Sequence, residues 1–387
     1  MLEQKQKDVL TLIRSALNKE KKERVTEVDL DYVYKIAKQH QIFGLLFYGL
    51  ENCGLKNSEI YQKLFLNACQ SISVSQRQMR ELDTIFALFE KEKIDYMPLK
   101  GAVLKQLYPK HDMRLMGDAD ILIRTKDYDK IKGLLEWLGY TEGQESDHEL
   151  VWIKPELYLE LHKSVMPKRD KRYYAYFGDG WDNAVKSNDI FCRYRMSDEM
   201  TFIFLFVHFV KHYAGAGIGI KHMVDLWVYQ NSKTNLDKAF VLEEMKKLGL
   251  AEFYENIMHT LKAWFGETEF NQKDVFITKV IFDNGVFGNM ENVTLSSVKD
   301  GKAKTAKLKR FISLVFLPYS SMAYIFPVLK KVPILLPVFW VVRAFNSVFV
   351  KKKRIKAEFK TINNLSNEKI SEYIKSLSYV GLRNIHK

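Results

Sequence analysis

Cysteine is scarce in this chain: 387 residues carry only Cys53, Cys69 and Cys192. None of these are spaced as a disulfide framework or a thiolate zinc site requires, which argues for a reducing compartment. The opening MLEQKQKDVLTLIRSAL lacks the apolar stretch of a secretory leader, so the cytoplasm is the expected location. Long apolar runs are missing as well. A membrane-spanning helix wants about 20 uninterrupted apolar residues, but the uncharged stretch 311–329 is broken by Pro318, Pro327 and Tyr319-Ser320-Ser321. Acidic residues are rare in one place only. Residues 301–360 hold 14 Lys and Arg against a single acid, Glu358, whereas residues 1–300 hold 42 basic and 44 acidic residues, a net of −2. The overall charge of +13 therefore belongs to a C-terminal appendage. A near-neutral remainder disfavours a polynucleotide partner, whose affinity would depend on phosphate neutralisation.

What the chain has in quantity is apolar residues at helical spacing. Hydrophobic residues make up 47%, enough for a substantial core and two or three domains. Residues 1–19 and 28–53 place apolar side chains every three or four positions, the second run ending at Gly54, and 60–92 continues the period without Pro or Gly. Short apolar segments at 94–99, 118–124, 149–153 and 157–162 read as strands. The last two are expected to pair antiparallel through Lys154-Pro155-Glu156. Gly101 to Tyr108 reads as a short helix, and Thr125 as the cap of a helix that runs to Leu138 and closes at Gly139. Helical periodicity resumes after Ser197. The expected fold is α+β, with a small mixed sheet between N-terminal and C-terminal helical segments. Its parts would be a helical region at 1–93, an α/β core at 94–165, a helical domain at 166–288, a polar linker at 289–310 and a basic amphipathic region at 311–387.

The chemistry concentrates in PLKGAVLKQLYPKHDMRLMGDADILI, residues 98–123. Residues two apart on a strand share a face, so Asp118 and Asp120 project together. In the later strand, Leu157, Leu159 and Leu161 take one face while Tyr158, Glu160 and His162 take the other. Side-by-side carboxylates raise each other's pKa. A divalent cation removes that cost, and Mg²⁺ prefers carboxylate oxygen, water and phosphate as ligands. The pattern points to metal-dependent phosphate chemistry, although exposed acidic pairs also occur at ordinary strand ends and Glu160 could be a plain strand residue.

Leu99-Lys100-Gly101, Tyr108-Pro109, Arg114, Gly117-Asp118-Ala119-Asp120-Ile121-Leu122 and Leu159-Glu160-Leu161-His162 together resemble the nucleotidyltransferases of the DNA polymerase beta superfamily. They look closest to its bacterial branch of uncharacterised members. The resemblance implies a glycine-containing turn under a triphosphate and a D-x-D pair plus a third carboxylate binding two Mg²⁺ ions. These would be Asp118, Asp120 and Glu160, as metal ligands and catalytic residues. It also implies nucleotide contacts from Lys100, Gly101, Ala102 and Arg114. The superfamily usually has Gly-Gly or Gly-Ser where this chain has Lys100-Gly101; a lysine ammonium would substitute as a point charge for phosphate.

Other residues are open to two readings. His208 and His212 share a helix face, but Phe209 stands where an H-E-x-x-H metalloprotease has its glutamate, which favours histidines of a core or interdomain contact. Lys211 and Asp225, with His162, are candidates for an acceptor cleft, and His162 reads foremost as a hydrogen-bond partner. Residues 311–354 end in Lys351-Lys352-Lys353-Arg354 and suit short helices that pack on the helical domain or lie on an anionic membrane surface. Nucleic acid is a weaker third option that rests on charge alone. The expected function is Mg²⁺-dependent transfer of NMP from an NTP to an acceptor hydroxyl, with a small molecule favoured over protein or RNA. The alternative is a catalytically silent module that binds a nucleotide or a partner.

Overall fold

The computed structural model describes residues 1–18, 28–55, 59–187, 190–285, 288, 290–296, 307–308, 312, 315–350 and 366–383. Its centre is a five-stranded sheet of β1 (Tyr96–Pro98), β2 (Asp118–Ile123), β3 (Thr141–Glu145), β4 (Glu149–Lys154) and β5 (Leu157–His162), in the order β1-β2-β5-β4-β3. Only β2 and β5 run parallel, with Asp120 level with Glu160 and Leu122 level with His162. A parallel pair needs a long crossover, and the segment carrying β3 and β4 supplies it. β6 (Ala184–Lys186) and β7 (Tyr194–Met196) form a separate two-stranded ribbon.

Strand alternation divides the two faces of the sheet. Ala119, Ile121, Ile123, Leu157, Leu159 and Leu161 pack with Ile85 and Phe89 of α4 (Glu59–Lys91) and with Ile131 and Leu135 of α6 (Tyr128–Trp137). Asp118, Asp120, Leu122, Glu160 and His162 take the opposite side. There Leu122 joins a larger helical core built from α1 (Gln4–Leu17), α2 (Leu30–His40), α3 (Phe43–Cys53), α8 (Asp198–Tyr213), α9 (Ile220–Ser232), α10 (Lys238–Lys247), α11 (Ala251–Trp264) and α12 (Gln272–Asn284). Outside the C-terminal apolar region, the other described α-helices are the five-residue α5 (Lys100–Leu104), α7 (Lys171–Phe177), α13 (Met290–Ser296) and Asn367–Tyr379, whose Leu377 joins the larger core. The chain is α+β, as expected from the sequence.

Two local expectations are corrected. The run 28–53 is two helices, because Gln41 turns left-handed at φ 53° and the Ile42 amide closes onto Ala37 O. Periodicity cannot register such a turn when glycine is absent from it. Thr125 opens a single 3₁₀ turn, Thr125–Asp127, and α6 begins only at Tyr128. Within the expected polar linker, Met290–Ser296 is helical, while most of the rest lies outside the described residues.

The C-terminal apolar region forms helices Tyr319–Ile325, Val328–Lys331 and Leu336–Val350 around Met322, Ala323 and Leu329. It touches the edge strand β3, where Gln144 Nε2 donates to Ser321 Oγ at 2.8 Å. Among the described residues no helix is long and apolar enough to cross a membrane. The basic run 351–354 lies outside them.

Candidate active site

The turn after β1 is tied to β2: the Leu99 amide donates to Asp120 O at 2.9 Å. The next residue, Lys100, holds φ 37°, a left-handed conformation that costs a non-glycine residue free energy and recurs at functional sites. This bend brings Lys100 Nζ to 2.7 Å from Asp120 Oδ1. His162 Nε2 approaches the same oxygen at 2.9 Å and Glu160 Oε2 at 3.6 Å. Asp120 is buried, yet the Lys100 ammonium and the His162 hydrogen bond outweigh that burial and hold it well below the usual carboxylate range. Asp118 has no such partner among the described residues. Desolvation, then repulsion from Asp120 and Glu160, push it up to about 6. His162 is raised above its ordinary value, since its bonds to Asp120 and Glu160 override burial.

These side chains line one wall of a cavity of about 800 Å³. Helices α8 and α9 form the facing wall, contributing His208, Lys211, His212, Lys221 and His222. Burial keeps the imidazoles neutral: His212 falls to about 4, and His208 and His222 lie well below 6.5. His208 and His212 meet through their Nε2 atoms at 3.0 Å. Lys211 pairs with Asp170 at 2.7 Å, whereas Lys221 has no ion-pair partner among the described residues. Burial and the nearby Arg114 lower Lys221 to about 8.

The structure brings Asp118, Asp120, Glu160, Lys100, Gly101, Arg114, His162, Lys211 and Asp225 around one cavity. Their bonding differs from the sequence expectation in three places, the first being Lys100, expected at phosphate but paired with Asp120. Arg114, expected to face phosphate, is buried and bonds Asp225 through Nε at 2.7 Å and Nη2 at 3.0 Å. Tyr108 Oη donates to the same carboxylate at 2.7 Å. The Ala102 amide, expected to face phosphate, already donates to Leu99 O at 3.2 Å. Sequence reasoning also passed over His148 and Glu149, which line the cavity from the start of β4. The signal was available in the hairpin register, which sets Glu149 opposite His162.

The donor set fits a hard divalent cation. Asp118, Asp120 and Glu160 bring carboxylate oxygens to one sheet face, and the ligating atoms of Asp120, Glu160 and His162 lie within 4.8 Å of one another. The upward push on Asp118 is the electrostatic cost that such a cation would relieve. In comparisons with known proteins, the model of a family described as "Uncharacterised nucleotidyltransferase" matches residues 26–266, more than half of the chain. No curated protein and no solved structure gives a significant match.

Proposed function

Because the chain belongs to this family of uncharacterised nucleotidyltransferases, we propose that it transfers NMP from an NTP to the hydroxyl of a small molecule, with the chemistry at Asp118, Asp120 and Glu160. The observation that carries this reading is the rung pairing of Asp120 with Glu160 on parallel strands, with Asp118 beside them, facing a cavity of ligand size. It agrees with the two-metal arrangement of the polymerase beta superfamily. Asp118, Asp120 and Glu160 would hold the Mg²⁺ ions. Bound there, Mg²⁺ lowers the pKa of an acceptor hydroxyl and neutralises charge on a departing pyrophosphate.

The remaining work falls to the protein's own groups. Lys100 holds Asp120 in orientation and keeps a cation at the turn under the triphosphate. Lys221, without an ion-pair partner among the described residues, offers charge to phosphate from the facing wall. Glu160 accepts the proton of the attacking hydroxyl. Neutral His208, His212 and His222 can both donate to and accept from hydroxyls, which suits a small polar acceptor held in near-attack geometry. Protein or RNA acceptors would have to thread a side chain or strand end into the same cavity.

The deciding experiment is calorimetric titration of ATP, GTP, CTP and UTP, with and without Mg²⁺, on wild type and on Asp118→Ala/Asp120→Ala. Mg²⁺-dependent binding of one triphosphate that disappears in the double variant is the expected result. A folded wild type that binds none of the four would overturn the reading.

A second reading concerns location. The C-terminal helices and the 3₁₀ turn Pro333–Leu335 between them leave a face of large apolar residues in solvent, with Ile334 84% and Phe345 63% exposed. Lys330, Lys331 and Arg343 lie in the same helices, without an acid among them. We propose that this face rests on an anionic lipid surface. Flotation with phosphatidylglycerol vesicles should carry wild type but not Ile334→Glu/Phe345→Glu. Equal recovery of the two proteins would refute it.

A further inference from the structure

Beside the carboxylates lies a second group of donors with a different chemistry. A ring nitrogen of His148, a ring nitrogen of His162 and a carboxylate oxygen of Glu149 all fall within 4.8 Å of one another. The hairpin enforces this proximity, since Glu149 and His162 are register partners across β4 and β5. His148 Nδ1 lies 3.1 Å from Ser146 Oγ and 3.2 Å from Asp147 Oδ1, and its Nε2 lies 3.1 Å from Glu149 Oε2. His162 is 3% exposed; its Nε2 is bound to Asp120, and its Nδ1 is buried without a hydrogen-bond partner among the described residues.

Each imidazole therefore rests one nitrogen on a carboxylate outside the trio, Asp147 for His148 and Asp120 for His162, while the second nitrogen of His148 faces Glu149 and that of His162 has no partner among the described residues. That is how outer-shell carboxylates orient metal-bound histidines. Two imidazole nitrogens and one carboxylate oxygen form a donor set for a borderline cation such as Zn²⁺ or Co²⁺, not for Mg²⁺, which takes oxygen. Metal–nitrogen bonds of about 2.0–2.1 Å in a tetrahedron put donors about 3.4 Å apart. The His148–Glu149 pair is already at that spacing, and side-chain rotation would close the third donor.

We propose that His148, Glu149 and His162 bind one zinc-class divalent cation, distinct from the Mg²⁺ expected at Asp118, Asp120 and Glu160. Ligation through His162 Nδ1 obliges Nε2 to carry the proton, so the imidazole donates to Asp120 and fixes that carboxylate. The cation is thus a positioning device for the neighbouring centre. Its fourth position is open to water or substrate. The inference needs only the geometry of the hairpin and stands apart from the transfer reaction.

The test is titration of the full chain with Co²⁺ in excess Mg²⁺, read by the visible absorption of tetrahedral Co²⁺ and by elemental analysis after desalting. Wild type should bind one Co²⁺ per chain, displaced by Zn²⁺. His148→Ala and Glu149→Gln should each weaken binding about 10- to 100-fold, and Glu160→Gln should retain it. Circular dichroism checks that each variant is folded, and the two hairpin variants guard against the loss of either one. The proposal is overturned if folded wild type binds no Co²⁺ or Zn²⁺, or if both hairpin variants bind like wild type. It is also overturned if Glu160→Gln alone abolishes binding, which would put the metal on the carboxylates. Failure of triphosphate binding with Co²⁺ binding intact would overturn only the transferase reading.

Discussion

Replacing Asp225 by alanine should be among the most damaging single changes to stability. The Asp225 carboxylate is 5% exposed and accepts from Arg114 Nε, Arg114 Nη2 and Tyr108 Oη at 2.7, 3.0 and 2.7 Å. Its loss leaves the Arg114 guanidinium, 6% exposed, buried without that partner. Lys105 and Lys221 are both lowered in pKa by burial and then by Arg114, so removing Asp225 would leave three cations near one another. Removing one member of a buried ion pair typically costs about 3–5 kcal/mol. Three hydrogen bonds to a charged group, at about 1.5–3 kcal/mol each, set a lower edge near 4.5 kcal/mol, so the two approaches meet at about 5 kcal/mol. The assay is urea unfolding of wild type, Asp225→Ala and Asp225→Leu/Arg114→Met. The double variant removes the stranded charge and should recover part of the loss. A loss below about 1 kcal/mol for Asp225→Ala, or no recovery in the double variant, would refute the claim that this buried pair joins α9 to the segment before β2.

The other predictions are more local. His40 accepts the Ile220 amide at Nδ1 at 3.1 Å and reaches Phe282 O through Nε2 at 3.2 Å, and burial lowers it from 6.5 to about 4. The unfolded chain then takes a proton that the folded one refuses, so stability should fall between pH 6.5 and about 4 and level off below, by about 3 kcal/mol in all. His40→Gln should flatten that part of the pH–stability curve measured by urea unfolding. Gly49 sits where α3 crosses α1, and a Cβ there would lie 2.3 Å from Leu12 O. Gly49→Ala should therefore destabilise by about 1–3 kcal/mol through overpacking, seen as a lower melting temperature. Saturating Mg²⁺ should raise the melting temperature of wild type, by about 2.7 kcal/mol of stability at a hundred-fold excess over Kd. Asp118→Asn/Asp120→Asn, which lacks the mutual carboxylate repulsion, should show no such rise; an equal rise in both proteins would argue against this cation site.

Much of the site was legible in the chain because strand alternation is a local rule. Asp118 and Asp120 had to share one face of their strand, and Glu160 and His162 one face of theirs, once their segments were strands. The resemblance then paired the two sets, and the parallel register of β2 with β5 brings them level. The helix break at Gln41 escaped notice because its left-handed turn is made without glycine, on backbone closure at Ala37. Arg114 was expected at phosphate, since nothing in its neighbourhood in sequence announces a partner 111 residues away.

By itself, then, the sequence determined the strand faces and the apolar helix stripes, which follow from periods of two and of three to four residues, while the grouping of Asp118, Asp120 and Glu160 is what the resemblance implies. Only the tertiary structure decided which charges are already satisfied. Lys100 and His162 both fall on Asp120, Arg114 on Asp225, and Lys211 on Asp170, leaving Asp118 and Lys221 as the carboxylate and the lysine of the cavity that are pushed toward their neutral forms. The physical reason is that the free energy of a charge depends on its desolvation and on which opposite charge reaches it in space, and neither quantity is carried by sequence spacing.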